Sequence, residues 1–297
     1  MPALPAIGTR VTVRYRLPAG STPPLTDVVG HVVDVGAALG VRTKRGVVVR
    51  VDVDDVVAIK ELTAAPVRTA DIRNLEHAAT LAWPGVEQEW IGGWLLRAAG
   101  GHTHRGNSAV PLSPQADATA IPAVVRWYGE RGLTPWLSIP DRLFGPTKVP
   151  PHLETDVMTS DLSTPAPDEQ VTLTETPDHE WLRLYRRAVP VDVLTAVIDG
   201  EVAFATIPGA AVGRAAVTTA PCGRRWVGLS AVRVDEQARG RGLARSLCST
   251  LLHWGAQRGA ARGYAQVLID NEVAIGLYRS MGFSTQHRSR YVDARSL

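Results

Sequence analysis

Cysteine is nearly absent: Cys222 and Cys248 are the only two in 297 residues. That excludes a disulfide scaffold, and no Cys/His spacing resembles a structural zinc site, so a reducing compartment is expected. Lysine is equally scarce, since Lys44, Lys60 and Lys148 supply three of the 32 cations. The arginines that replace it read as a compositional habit of an Arg-for-Lys genome. Aromatic residues make up 6% and the net charge is +3. Neither stacking aromatics nor a strong positive field is available for coating nucleic acid. No uncharged apolar run approaches the ~20 residues of a spanning helix. The stretch from Met1 to Arg16 is broken by Pro2, Pro5, Gly8 and Arg10, which leaves no signal-peptide core. The expectation is a soluble, cytoplasmic chain with no membrane partner.

What is present is a 45% hydrophobic content, enough for a sizeable core, over a length that suggests two or three domains. Residues 1–62 read as short strands: Val11–Tyr15 alternates, Val28–Val35 is β-branched, and Val47–Val53 follows the turn signal Lys44-Arg45-Gly46. Such strands predict a small SH3-like β-barrel, a fold that serves for docking as readily as for binding. Residues 63–165 carry a helix from Thr69, with Asp71 as cap and Ile72, Leu75, Ala78, Ala79 and Ala82 on one face. A Trp-rich strand pair around Trp90 to Arg97, a strand Arg105–Pro111, a helix Ile121–Arg131 and a strand Leu133–Ile139 follow. The Pro-rich stretch Ser163–Gln170 predicts a linker. Residues 170–297 then alternate strands and helices, which argues an α/β sheet.

The sharpest local feature lies where a strand ending Val232-Arg233-Val234 runs into Arg239-Gly240-Arg241-Gly242-Leu243-Ala244 and a helix. Glycines allow a tight turn, and the amides at the helix start form an anion site. Six arginines stand against two acids between Cys222 and Arg245, so a phosphate-bearing ligand is expected. The loop has neither the Gly-Lys-Ser/Thr ending of a P-loop nor the Gly-x-Gly-x-x-Gly of a dinucleotide site.

These residues, with Asn271-x-x-Ala274-x-x-x-Tyr278 and Gly282-Phe283 downstream, resemble the GNAT (GCN5-related) N-acetyltransferases. Arg239-x-x-Gly242-x-Ala244 is similar to their acetyl-CoA loop. The resemblance is clear over 171–297. Residues 69–162, with Gly93-Trp94-Leu95-Leu96-Arg97 and Arg105-x-Asn107-Ser108, look like a degenerate amino-terminal GNAT half of a tandem protein. The chain also resembles an actinobacterial type in which an SH3-like barrel precedes the acetyltransferase. The implied fold is an α/β GNAT fold, a mixed twisted sheet with flanking helices, in the order barrel (1–62), degenerate half (63–165) and catalytic domain (170–297).

The resemblance implies roles as well. Amides from Arg239, Gly240, Arg241, Gly242, Leu243 and Ala244 would hold the pyrophosphate of acetyl-CoA. Main-chain groups of Val232 and Val234 would pair with pantetheine, Asn271 and Ala274 would line its arm, and Tyr278 would protonate the departing thiolate as general acid. The strand Gly228–Val234 lacks the Glu that many relatives use as a base. Glu201, Glu175, Asp270 or a water chain remain as alternatives. His102-Thr103-His104 has i, i+2 spacing without carboxylates nearby, so it reads as loop histidines and no metal is expected. Cys248 reads as packing, because direct transfer needs no acyl-enzyme. The acceptor is an unidentified amine; the net charge of −4 over residues 63–169 would suit a basic protein tail or a polyamine. A different reading is a non-catalytic acyl-CoA sensor or scaffold whose barrel binds a partner.

Overall fold

A computed structural model describes residues 4–62, 67–162 and 167–297. The chain divides into two compact units, 1–66 and 67–297. The predicted linker at 163–170 lies partly outside the described residues.

The first unit contains β1 (Arg10–Arg16), β2 (Leu25–Val35), β3 (Ala38–Thr43), β4 (Val48–Asp52) and β5 (Val56–Glu61). Period-two alternation sends Val11, Val13, Val28, Val32, Leu39, Val41 and Val51 into one small core. The strand order is β4-β3-β2-β1-β5, antiparallel throughout. A closed barrel was expected; among the described residues β4 and β5 do not pair, so the sheet stays open. The 3-10 turn Val53–Asp55 lies between them, and β5 pairs with β1 at the other edge of the sheet.

The second unit begins with α1 (Thr69–Ala82), β6 (Glu87–Ile91), β7 (Trp94–Ala98), β8 (Ser108–Ala109), α2 (Ile121–Gly129), β9 (Trp136–Pro140) and β10 (Leu153–Asp161). It continues with β11 (Thr172–Thr174), α3 (His179–Tyr185), α4 (Val191–Thr195), β12 (Glu201–Ile207), β13 (Ala211–Thr219), β14 (Arg225–Val234), α5 (Leu243–Gln257), β15 (Arg262–Leu268), α6 (Glu272–Ser280) and β16 (Ser284–Asp293). The cap of α1 differs from expectation: Arg68 occupies the N-cap without a side-chain bond, and Asp71 sits in the first turn, where a carboxylate meets the positive end of the helix.

Nine strands form one mixed sheet in the order β11-β12-β13-β14-β15-β10-β16-β9-β8. The segments expected as separate halves share it, because β10 lies between β15 and β16 and pairs antiparallel with both. Sheet faces follow the pleat. Ala215 and Val217 of β13 join Leu247, Leu251 and Leu252 of α5 in one core. Ala216 packs with Trp181 and Leu184 of α3 on the other side, and the Thr218 hydroxyl donates to the Ala78 carbonyl of α1 at 2.8 Å. Both faces are therefore covered.

Two buried arginines fasten these layers. Arg214 of β13, fully buried, donates to the carbonyls of Leu194 (2.7 Å), Ala82 (2.9 Å) and Ala196 (3.1 Å). Those oxygens belong to the ends of α1 and α4, where helices leave unpaired acceptors. Arg97 of β7 donates to Trp83 O (3.1 Å) and Ser108 Oγ (3.0 Å). Both arginines hold the same Ala82–Trp83 corner.

Candidate active site

The parallel pairing of β14 with β15 runs from Trp226–Arg262 to Leu229–Ala265 and then stops. Across β13 the register slips at the same level: Val212 faces Arg233, while Arg214 faces Ser230. Ala231 takes φ +53° within this bulge, a conformation that costs a non-glycine residue about 1–2 kcal/mol. The bulge turns β14 away from β15 and leaves the main chain of Ser230–Val234 unpaired on that side. A cleft of about 930 Å³ opens between the two strands.

One end of the cleft is the loop into α5. Gly240 and Gly242 have φ +78° and +79°, and a Cβ on either would meet nothing within 4 Å. Conformation, not crowding by the protein, therefore demands glycine there. Gly242 is the N-cap of α5 and offers no side-chain bond, so no side chain caps the first amides of the helix. Arg245 donates to Ser280 Oγ at 2.6 Å, tying the start of α5 to the end of α6.

Of the residues singled out from sequence, Val232, Val234, Arg239, Gly240, Gly242, Leu243, Ala244, Asn271, Ala274 and Tyr278 line this one cleft. Arg241 is exposed and does not line it. Asn271 caps α6, its Oδ1 accepting from the Ala274 amide at 3.1 Å. Tyr278 is buried on α6, with its ring 5.3 Å from that of Phe283. The Cys248 thiol neighbours its hydroxyl, and burial followed by that neighbour raises its pKa well above the ordinary phenol value. Burial likewise pushes the Cys248 thiol up to about 12, so it stays protonated and packs.

The candidate bases lie elsewhere. Glu201 is paired with Arg258 at 2.7 Å, and neither Glu175 nor Asp270 lines the cleft. The second wall comes from residues to which the sequence reading gave no role in this site: Trp83, His104, Arg105 and Tyr291. The His104 ring stands 5.2 Å from that of His152 and 5.6 Å from Tyr291. Burial, and then His152, lower its pKa, so the ring is neutral near pH 7. Among the described residues no group of His, Cys, Asp and Glu is clustered so as to hold a metal ion. Among the described residues no helix is long and apolar enough to cross a membrane.

Comparison with known proteins agrees with this fold. The family described as "Probable histone acetyltransferase Rv0428c C-terminal" matches residues 69–292, and "Rv0428c N-terminal Sm-like domain" matches residues 5–60. The chain is 51% identical over 299 residues to the probable histone acetyltransferase Rv0428c of Mycobacterium tuberculosis, covering 100% of this chain and 98% of that protein. It is 25% identical over 252 residues to the uncharacterized N-acetyltransferase YobR of Bacillus subtilis, covering 74% and 98%. A GCN5-related N-acetyltransferase from Kribbella flavida superposes with a TM-score of 0.52 at 13% identity, covering 77% of this chain and 95% of that one. A GNAT-family protein from Novosphingobium aromaticivorans gives 0.52 at 21%, covering 73% and 96%. At those identities the likeness speaks for the fold alone. The chain belongs to the Rv0428c-type acetyltransferase family, in which an Sm-like amino-terminal domain precedes a GNAT-like domain.

Proposed function

We propose that the protein is an acetyl-CoA-dependent N-acetyltransferase that passes the acetyl group directly to an amine. The observation that carries the reading is the convergence of the splayed β14 main chain, the uncapped start of α5 and Tyr278 on one cleft. These residues suit the proposed donor. The open space beside Gly240 and Gly242 leaves room for a pyrophosphate against the α5 amides. Acetyl-CoA, when bound, supplies an activated acetyl thioester. In this reading residues 170–297 hold that donor through the main chain of Val232 and Val234, the loop from Arg239 to Ala244, and the Asn271–Ala274 turn. Residues 63–165 contribute the facing wall.

Proton handling falls to the chain's own side chains. Tyr278 keeps its proton because burial disfavours the phenolate, and a phenol that holds its proton can deliver it to a leaving thiolate. With no carboxylate lining the cleft among the described residues, the neutral His104 ring in its wall is the group we assign to accept a proton from the amine. No hydrogen bond engages that ring among the described residues, so its nitrogens are free to do so.

The sensor reading draws on the same lack of a carboxylate base. The two readings separate in one assay: free-thiol release from acetyl-CoA across a panel of amines, peptides and basic proteins. Acetyl-CoA at millimolar concentration should also raise the Tm. Absence of that shift would remove the donor site, whereas a shift without thiol release on any amine would favour the sensor.

A further inference from the structure

The acceptor wall has a charge pattern that narrows the substrate. Arg105, Arg187, Arg233, Arg239 and Arg245 line the cleft, and among the described residues no Asp or Glu does. Arg239 and Arg245 belong to the loop and helix proposed for the phosphates. Arg105 lies on the opposite wall, half-buried, with no ion pair or hydrogen bond among the described residues; the Trp83 ring stands 5.7 Å from its guanidinium. The fully buried Arg214 stands 4.3 Å from that same ring. These are cations gathered without a counter-ion. Arg105 adds to the burial that holds Arg97 and Arg214 below their ordinary values.

A second, independent observation points the same way. Trp83 is 5% exposed and lines the cleft, yet its indole N–H has no hydrogen-bond partner. A buried donor left without an acceptor is destabilising, and an acceptor brought to it is bound the more firmly. A charged donor without an ion pair and a neutral donor without an acceptor thus belong to two residues of the same wall.

We propose that the acceptor is an amine that also bears a carboxylate, such as a free amino acid, and that Arg105 with the Trp83 N–H forms the subsite for that carboxylate. The proposal rests on the acetyltransferase reading and makes it more specific. A carboxylate there would neutralise Arg105, satisfy the indole, and leave the amine nitrogen free for attack near the neutral His104. Polyamines and lysine-rich tails would instead bring like charge to a cationic wall, although the overall charge of residues 63–169 had pointed to them.

The test compares thiol release with free amino acids, their carboxamides, polyamines and lysine-rich peptides at saturating acetyl-CoA. Free amino acids should exceed their amides by about 10- to 100-fold in kcat/KM, the range for a charge-assisted hydrogen bond. Arg105→Met should erase that ratio while leaving the KM for acetyl-CoA unchanged. As a readout independent of turnover, N-acetylated amino acids should raise the Tm of the CoA-loaded protein, and should fail to do so in Arg105→Met. Amides, polyamines or lysine-rich peptides that match or exceed the free acids would overturn the proposal. So would the lack of any response to carboxylate probes, or a rise in acetyl-CoA KM in Arg105→Met, which would move this residue to the donor site. Failure of the donor reading is separate: it appears as no Tm shift with acetyl-CoA itself.

Discussion

Substitution at Gly242 separates backbone strain from ligand loss. The residue holds φ +79° with nothing within 4 Å of an added Cβ, so Gly242→Ala carries only the left-handed penalty of about 1–2 kcal/mol. For a unit of this size that lowers Tm by about 2–8 °C. Gly242→Glu carries the same strain, and a carboxylate near a helix N-terminus adds no further destabilisation to the free protein. Its effect on the donor is different. A unit charge about 5 Å from a phosphate, at an effective dielectric of about 20, opposes binding by about 3 kcal/mol. At one hundred times its Kd, acetyl-CoA stabilises the native state by about 2.7 kcal/mol, or about 5–11 °C. The added charge offsets all of it. Melts followed by fluorescence should therefore show both variants lowered alike without ligand, with the acetyl-CoA increment lost in Gly242→Glu. A Gly242→Glu protein that keeps the full wild-type increment would refute the placement of the phosphates at this loop.

Tyr278→Phe should retain the acetyl-CoA Tm shift and lose about 10²-fold in kcat; unchanged turnover would take Tyr278 out of the chemistry. His104 and His77 are held neutral below their ordinary value, by burial in both and by His152 beside His104. The unfolded chain takes up these protons near pH ~6.5 while the native chain resists. Stability is thus full above that pH and declines as pH falls through it; His104→Asn should flatten the slope of Tm between pH 7 and 5, and an unaltered slope would contradict the shift. The buried Glu76–His287 pair, 2.8 Å apart, should cost about 3 kcal/mol when cut by Glu76→Ala and distinctly less in Glu76→Gln, as thermal melts would report. Equal melts for wild type and Glu76→Ala would show that the pair contributes nothing.

The parts of the site that were legible in the sequence are those whose function constrains the backbone. Gly240 and Gly242 stand out because a positive φ needs glycine, and Asn271 because a helix start needs a cap. What was hidden depends on long-range pairing. The strand β10, Leu-Glu-Thr-Asp-Val-Met-Thr-Ser-Asp, carries too many polar residues for a period-two signal. Its Asp156 is tolerated in the sheet because Arg288 meets it at 2.9 Å from 132 positions away. Arg97, Arg105 and Arg214 look in sequence like any surface arginine. Only the meeting of α1, β7 and β13 at Ala82–Trp83 buries two of them and leaves the third facing the cleft. The open first sheet was missed for the same reason, since alternation fixes which face is buried but not which edges meet.

The claim that stands above the others is direct acetyl transfer to nitrogen. Incubation with acetyl-CoA labelled in the acetyl group and a free amino acid, followed by mass spectrometry of the acceptor, tests it most directly. The label should appear on the acceptor nitrogen in equal amount to the thiol released, and far more slowly with Tyr278→Phe. Thiol release without labelled amine, or bound acetyl-CoA that is never consumed, would contradict it.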